Sequence, residues 1–541
     1  MKEFSYVIED IQEIFPAIYE VLSEQKTIQA RRSFVAVYGR AASEKLMAKI
    51  RRAVQQRMPQ ACVVGAVAMQ SIVDGRLTDD GVAVSFTLYE SSDAAAWLYD
   101  FDAMDPKEAG RTFAEVLAAE DDVSAIEFIS TDDRFGIGAF FDELAAIPED
   151  VAVFGGIAEN GTEAMPTIFA GDAACGHGVL AIAFSGPDLH VSVNSSFGWK
   201  PLGRVMTITR MKDPFTVQSI DNRPAVEIYQ TYLGLAMDED ILTEMLTFPL
   251  FLHRNGIALA RLPQTSERDG SLHFAGDFFE GERVQIAYGD PQEILDTADC
   301  LQVGMAAFHP QAMYFVSCVA RSLLLATDTE KELVMSRYAP SAGFYAYSEF
   351  LRRGGEFMTA NMTLVTIGMR EGEKSDAPVK LPERISHVDA RTNIMRHLVN
   401  FVQQVIGELE DANERYRRLA RAAGRGARRL RCRGPHGRRR VPRHPLPHGR
   451  TRSALHRRPH PKAHRKPQPA AGRPQDDDEH RHSRPLARRH GARPLQTRRR
   501  SPLRREAVRQ ERCGDGTAEI MKQQSKQKAR ARMSEKRPGS F

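Results

Sequence analysis

The sequence changes character near residue 424, and this break limits which part of the chain can fold. From residue 424 to the end there are 36 Lys and Arg against 9 Asp and Glu, a net charge of +27. The preceding residues hold 38 basic and 61 acidic side chains, a net charge of −23, so the overall charge of +4 describes neither part. A segment rich in Arg, Pro and His cannot bury enough apolar surface to form a core. The basic tail over 424–541 is therefore predicted to be disordered, and the acidic body before it to be globular.

Within the body, strand patterns alternate with helical patterns. The apolar run 125–130 predicts a strand, whereas 43–57 and 106–117 have the spacing of amphipathic helices, the first with Ser43 as N-cap. Such alternation is typical of layered α/β domains. After residue 176 short turns separate consecutive apolar runs, which favours antiparallel strands. The predicted fold class is α/β, with two layered domains whose sheets are mixed and partly antiparallel.

The last helical pattern before the tail has the spacing of a coiled coil. Its apolar residues alternate steps of three and four: Met395, Leu398, Val402, Val405, Leu409, Ala412, Tyr416 and Leu419. This heptad spacing places one stripe along a helix and favours pairing with a second helix. The segment 388–419 therefore predicts a homodimer in which a coiled coil carries a signal to a following domain. The alternative is a C-terminal helix that packs on its own domain.

These changes of pattern divide the chain into six parts. They are an N-terminal helix over 1–28, a first domain over 29–222, a second domain over 223–370, a linker over 371–384, the coiled-coil helix over 385–423 and the tail over 424–541.

Neither a secretion signal nor a membrane span is evident. The N-terminus lacks a basic-then-apolar pattern, and no apolar run reaches the eighteen or so residues that cross a bilayer. The six cysteines are scattered without a CxxC pair, which favours reduced thiols over a disulfide framework or a metal centre. The prediction is a cytoplasmic protein without a metal site, a cofactor or a membrane partner.

Several short motifs together resemble a known pair of domains. The strings ACVVG at 61–65, VAVFGG at 151–156 and FGWKPLG at 197–203 fall as they do in the FIST N-terminal domain. The string FVSCVAR at 315–321 resembles a strand end of the FIST C-terminal domain, and the pieces that follow it keep that domain's order. The resemblance covers roughly residues 30–368. It implies a bacterial sensory module upstream of a signalling output, with a small ligand such as an amino acid as its partner.

Four polar residues near the FIST C-like motifs are candidate ligand-binding residues. Arg321 could clamp a ligand carboxylate in bidentate fashion. Glu349 and Asn361 could receive an ammonium group, and Cys318 lies with Arg321 at the end of an apolar strand. Each has a structural alternative: Arg321 could pair with Glu332 or Glu349, Cys318 could be a core residue, and Glu349 and Asn361 could serve a cap or a turn. The family more often has glycine before this glutamate, where this chain has Ser348.

Neither a catalytic residue nor a metal ligand is assigned. The body shows no Ser-His-Asp order, no HExxH motif and no glycine-rich lysine loop. Its histidines lack the spacing of ligand pairs.

The codons of the tail can also be translated in a neighbouring reading frame. Shifted by one base, 431–441 can encode DAVGRMGGDEF, 475–483 can encode RMTMSIGIA, and 498–511 can encode ADAALYDAKRSGRN, followed by a stop at 519–520. These strings resemble, in order and spacing, the GGDEF diguanylate cyclase domain, which converts GTP to cyclic di-GMP with carboxylate-bound metal ions. In this chain the signature is read as Gly437-Arg438-Arg439-Arg440-Val441, and arginines repel divalent cations.

The sequence therefore predicts a cytoplasmic bacterial sensor that has lost its output domain to a frameshift and a deletion. One alternative is that the chain is classified as a diguanylate cyclase because the parent family has this enzyme activity. Another is a genuine basic tail that binds nucleic acid or another polyanion, with strong salt dependence.

Overall fold

A computed structural model describes residues 1–78, 80–131, 136–158, 168–234, 247–353 and 355–375, together with 402, 406, 407, 409, 413–419 and 421. The described residues fall into two units: those up to 409 belong to the first, and those from 413 onward to the second. In the second unit the described residues 413–419 and 421 are helical. All strands and helices named below belong to the first unit.

The first unit contains three consecutive repeats of one topology, in which strand, helix, strand, helix and strand are followed by a hairpin and a last strand. Repeat 1 comprises β1 (Lys2–Ile8), α1 (Ile14–Thr27), β2 (Arg32–Gly39), α2 (Glu44–Arg57), β3 (Cys62–Val67), the hairpin β4 (Ser71–Val73) and β5 (Arg76–Thr78), and β6 (Val82–Tyr89). Repeat 2 comprises β7 (Asp93–Asp100), α3 (Pro106–Leu117), β8 (Val123–Ser130), α4 (Gly136–Asp142), β9 (Ala152–Ile157), the hairpin β10 (Ile168–Ala170) and β11 (Ala173–Cys175), and β12 (Gly178–Ser185).

Repeat 3 has the same order but carries an inserted sheet after its first strand. The insert comprises β14 (Trp199–Asp213), β15 (Thr216–Ile220), β16 (Arg223–Pro224), α5 (Ala225–Leu233), β17 (Leu250–Arg254), β18 (Ile257–Ser266), β19 (Leu272–Ala275) and β20 (Arg283–Gly289). The repeat itself comprises β13 (Leu189–Ser196), α6 (Pro291–Phe308), β21 (Ala312–Cys318), α7 (Val319–Leu325), a 3-10 segment (Ala326–Arg337), β22 (Ser341–Ala346), the hairpin β23 (Glu349–Arg353) and β24 (Glu356–Ala360), and β25 (Leu364–Glu371).

Each repeat gives its hairpin to the sheet of another repeat. The three sheets have the orders β1-β6-β2-β3-β10-β11, β7-β12-β8-β9-β23-β24 and β13-β25-β21-β22-β4-β5. The third and fourth strands of each sheet are parallel, and the donated hairpin pairs antiparallel with the fourth. Repeat 1 thus completes the sheet of repeat 3, repeat 2 that of repeat 1, and repeat 3 that of repeat 2, so the exchange forms a closed cycle.

A glycine occupies the same place in each parallel pair. Gly65, Gly155 and Gly343 lie opposite Val37, Phe128 and Phe315 of the preceding parallel strand. A Cβ atom at each glycine would overlap the carbonyl oxygen of that partner residue, so a larger residue would push the strands apart. The shared requirement supports the alignment of the three repeats.

The three sheets share one core, and helices cover their outer faces. Tyr38 of the first sheet stacks on Phe344 of the third, with ring centroids 5.0 Å apart. Phe154 of the second sheet lies 6.2 Å from Tyr314 of the third. Outside, α1 and α2 pack on the first sheet, α3 and α4 on the second, and α6 on the third. The inserted sheet has its own core, and pairing of β14 with β15 closes six of its strands into a ring.

The α/β class and its mixed sheets are confirmed. The helix predicted over 106–117 is α3, with Asp105 as its N-cap, and the strand predicted over 125–130 is the main part of β8. Ser43 precedes α2, but its side chain makes no capping hydrogen bond.

Two features of the body differ from the sequence-based division. The N-terminal segment 1–28 is not a helix alone, because the alternating residues of Lys2–Ile8 form a strand that pairs with β6. The boundary at residue 222 does not separate the sheets, since β4, β9 and β13 pair with β22, β23 and β25. The predicted linker overlaps β25 at Glu371, and its part from 376 onward lies outside the described residues, as do most of 385–423 and all of 424–541.

A carboxyl group lies inside the shared core. Glu127 of β8 is fully buried, one of its oxygens has no hydrogen-bond partner, and the hydroxyl of Tyr314 is its polar neighbour. Tyr314 in turn donates to the hydroxyl of Tyr38. Burial raises the pKa of Glu127 to about 8, so the carboxyl is held in its neutral form at pH 7.

This carboxyl makes the stability of the fold depend on pH. Because the folded pKa is higher than the unfolded one, the folded state binds more protons, and stability falls as pH rises from about 4.5 to about 8. We expect Glu127→Gln to be more stable than wild type at pH 8.5, by on the order of 1–3 kcal/mol. Urea unfolding at pH 6 and pH 8.5 measures this, with Glu115→Gln on the exposed face of α3 as control. An unchanged pH dependence in Glu127→Gln would show that the carboxyl does not titrate in this window.

Candidate functional site

A cleft of about 1170 Å³ opens where β8 and β9 end. Carboxyl ends of parallel strands are where α/β sheets commonly bind ligands. Ile157 and Ala158, at the end of β9, form part of its lining. The other walls are α4, the donated hairpin β23–β24 with the turn before it, and the inserted sheet. Repeat 2, repeat 3 and the insert therefore all contribute to this cleft.

Backbone hydrogen bonds fix the floor of the cleft. The amide of Ile157 donates to the carbonyl of Ser348 at 2.8 Å, and the amide of Tyr347 donates to the carbonyl of Ile157 at 2.9 Å. Tyr347 and Ser348 line the cleft and lead directly into β23. Because the bonds join repeat 2 to the hairpin of repeat 3, the floor depends on the hairpin exchange.

The wall from the inserted sheet carries an ionic network. Arg254 donates five hydrogen bonds, to Asp277 and Glu282, at 2.9–3.2 Å. Arg261, whose side chain is 1% exposed, donates to the carboxylate and the carbonyl of Asp277, both at 3.2 Å. Burial opposes ionisation of Asp277, but the charges of Arg261 and Arg254 hold its pKa below the usual value. Burial lowers the pKa of Arg261, which Asp277 partly offsets.

Asn361 joins this wall to the floor. Its side-chain oxygen accepts from Nη1 of Arg261 at 3.0 Å, and its amide donates to Oγ of Ser348 at 2.6 Å. Arg261 and Ser348 both line the cleft, whereas Asn361 lies behind them and is buried. Asn361, one of the residues predicted to bind ligand, thus orients two lining residues.

Glu349 and Cys318 lie deeper. One carboxyl oxygen of Glu349 accepts from the amide of Thr363 at 3.0 Å, and the other has no hydrogen-bond partner. Burial raises the pKa of Glu349 well above its usual range, which favours a neutral carboxyl. Burial and the neighbouring Glu349 likewise raise the pKa of the Cys318 thiol. Both side chains are buried, and neither lines the cleft.

Arg321 is engaged by the protein itself. Its Nε donates to Glu332 at 2.7 Å, and both side chains are fully buried. Its other nitrogens donate to the carbonyls of Ser196, Phe197 and Met362 and to Oγ of Ser196. The geometry is that of the structural alternative, pairing with Glu332, and it leaves Arg321 outside the cleft.

None of the four candidate residues therefore lines the cleft, although Asn361 and Glu349 support its floor. The charged lining residues that the sequence analysis missed are Arg254, Arg261, Asp277, Asp142 and Glu356. The signal at Arg261 was a charged residue inside the apolar strand IALARL. Its role was hidden because Arg261 and its partner Asn361 are 100 residues apart.

Two features are absent from the described part of the chain. There, His, Cys, Asp and Glu form no group of three or more that could hold a metal ion. Within the same residues, each helix is too short or too polar to cross a membrane.

Comparison with known families identifies two consecutive domains. The FIST N domain model matches residues 33–223, and the FIST C domain model matches residues 225–352. Together these matches cover more than half of the chain, which therefore belongs to the FIST family. FIST domains are sensor domains of signal transduction. A search of curated proteins finds no match.

The buried pair Arg321–Glu332 should be essential for folding. We expect Glu332→Gln to lower the free energy of unfolding by about 3–5 kcal/mol, because it leaves a buried guanidinium without its counter-charge. The matched change Glu227→Gln removes a partner of Arg223 from a half-exposed pair and should cost less than about 1 kcal/mol. Urea unfolding of both variants measures the difference, and equal effects would contradict the structural role.

Proposed function

We propose that this chain is a cytoplasmic bacterial sensor whose FIST domains bind a small molecule in the cleft at the ends of β8 and β9. The main support is the construction of the cleft: three separate parts of the chain converge on it, and the buried Arg261 is held toward it by Asp277 and Asn361. A ligand that contacts all three parts would favour one arrangement of them, which is what a sensor requires. The family resemblance makes an amino acid one candidate.

A conformational change at the cleft would be transmitted through residues 361–363. Asn361 supports the cleft, Met362 has the left-handed φ of 61°, and Thr363 is held by Glu349. β25 follows immediately and ends at Glu371. Its carboxylate accepts from the amides of Glu90, Ser91 and Ser92 and pairs with the amino group of Met1. A change at the cleft floor would therefore reach the strand that leads toward the C-terminal region.

A cleft-filling variant tests ligand binding. Gly138 of α4 lines the cleft, and a Cβ there meets no atom within 4 Å, so Gly138→Trp should fill the cleft without unfolding the protein. Gly304 of α6 is equally open and lies outside the cleft, which makes Gly304→Trp the control. In a thermal-shift screen of metabolites with the full chain, we expect ligands that stabilise wild type and Gly304→Trp but not Gly138→Trp. Stabilisation that persists in Gly138→Trp would place binding elsewhere, and no stabilisation of wild type would count against the sensor function.

We also propose that the output domain of this sensor was a GGDEF diguanylate cyclase, lost through a frameshift and a deletion. The support is the ordered series of cyclase strings in the neighbouring frame of the tail, with arginines at 438–440 where metal-binding acids would stand. The segment 388–419 would form the homodimer. Its described residues are helical, and Val402, Leu409, Tyr416 and Leu419 of the apolar stripe are exposed.

The coding DNA tests this second proposal. Translation of the next frame after codon 423 should give the GGDEF, SIGIA and ALYDAK strings and then a stop. Bases that are incompatible with those strings would refute the frameshift. Formation of cyclic di-GMP from GTP by the purified chain would instead favour the cyclase alternative. Nucleic-acid binding that is lost on truncation after Ala423 would favour the basic-tail alternative.

A further inference from the structure

The two arginines that line the cleft already use nearly all of their N–H groups in hydrogen bonds to other residues of the protein. The five hydrogen bonds of Arg254 equal the number of its N–H groups. Arg261 uses four of its five N–H groups, on Asp277, Ala260 and Asn361. An anionic ligand would have to displace these buried partners, at a cost comparable to breaking a buried ion pair. The arginines therefore shape the wall more than they offer an anion site.

Two of the carboxylates that line the cleft have fewer partners in the protein than the arginines have. Among the described residues, the charged side chains that line it are Arg254, Arg261, Asp142, Asp277 and Glu356, two positive and three negative. Both arginines bond to Asp277. Asp142 is exposed and makes neither a hydrogen bond nor an ion pair with another described residue. Among the described residues, the side chain of Glu356 accepts only from the side-chain amide of Asn255. The charge left for a ligand is negative.

Two aromatic side chains in the same lining are unusually exposed. Phe279 is 57% and Tyr347 is 41% exposed. The guanidinium of Arg254 lies 4.6 Å from the ring centroid of Phe279, so this ring already takes part in a cation–π contact. Exposed aromatic faces, in a cleft whose carboxylates have few partners in the protein, attract cations that carry apolar groups.

We infer that the ligand of this cleft is an organic cation with an apolar or aromatic body. The inference rests on the proposed ligand-binding function and narrows it to one class of molecule. The cation would lie between the carboxylates of Asp142 and Glu356, and its apolar body against Phe279 and Tyr347. A carboxylate on the ligand would find one remaining N–H of Arg261, so a zwitterionic amino acid would bind more weakly than the matching amine.

Four probes of similar size test the charge preference. They are 2-phenylethylamine as cation, 3-phenylpropionate as anion, 2-phenylethanol as neutral analogue and phenylalanine as zwitterion. Binding to the full chain is measured by calorimetry and ligand-observed NMR, and only binding that Gly138→Trp abolishes and Gly304→Trp keeps is assigned to the cleft. This control matters because the basic tail would attract the anion non-specifically. We expect the amine to bind most tightly.

The double variant Asp142→Asn, Glu356→Gln should weaken binding of the amine by roughly three- to tenfold. Asp121→Asn, an exposed carboxylate outside the cleft, should leave it unchanged. Equal or tighter cleft binding of 3-phenylpropionate or 2-phenylethanol would overturn the cation preference while leaving the cleft as a ligand site. Absence of amine binding, or amine binding that the double variant does not weaken, would also overturn it. Failure of the proposed function is separate, because it would appear in the metabolite screen as no stabilisation of wild type or as stabilisation that Gly138→Trp does not remove.

Discussion

The fold depends on the pairing of three strand edges. β3, β9 and β22 each lie at the open side of a parallel pair, and the unpaired amides and carbonyls along such an edge are costly when buried and prone to aggregate when exposed. Each edge is paired by a hairpin from another repeat. Since the exchange is cyclic, each sheet needs the hairpin of one other repeat, and all three sheets are complete only when all three repeats are present. The shared core and the contacts between the sheets follow from this mutual completion.

The same exchange explains where a cleft could arise. In repeat 3 the space beyond the parallel strands is filled by the buried pair Arg321–Glu332, which also receives hydrogen bonds from Ser317 and Tyr345. In repeat 2 the described end of β9 borders the cleft instead, together with the donated hairpin and the inserted sheet. Identical topology thus supports a sealed position in one repeat and an accessible one in another. The inserted sheet supplies the arginine wall that the repeats themselves lack.

Local features of the fold could be predicted from the sequence, whereas the exchange could not. The helix α3 was predicted with its bounds because its apolar spacing is a local signal within the twelve residues Pro106–Leu117. β1 was missed because the stronger helical stripe that follows it dominated the pattern. The four candidate residues do not line the cleft. A sequence motif can indicate that residues lie near one another, but it does not indicate which side chains face solvent. Ser348 meets Asn361 across the open end of the hairpin, but Arg261 reaches Asn361 only when the inserted sheet packs beside it, and no periodicity encodes that second contact.

The cyclic exchange also sets an order of events during synthesis. β4 and β5 leave the ribosome early, but their pairing partner β22 is complete only after Ala346. At 5–20 residues per second, the hairpin waits on the order of ten to fifty seconds for its sheet. Throughout that interval apolar strand edges of the first repeat are open to other chains. Aggregation is therefore expected to compete with completion of the third sheet during synthesis.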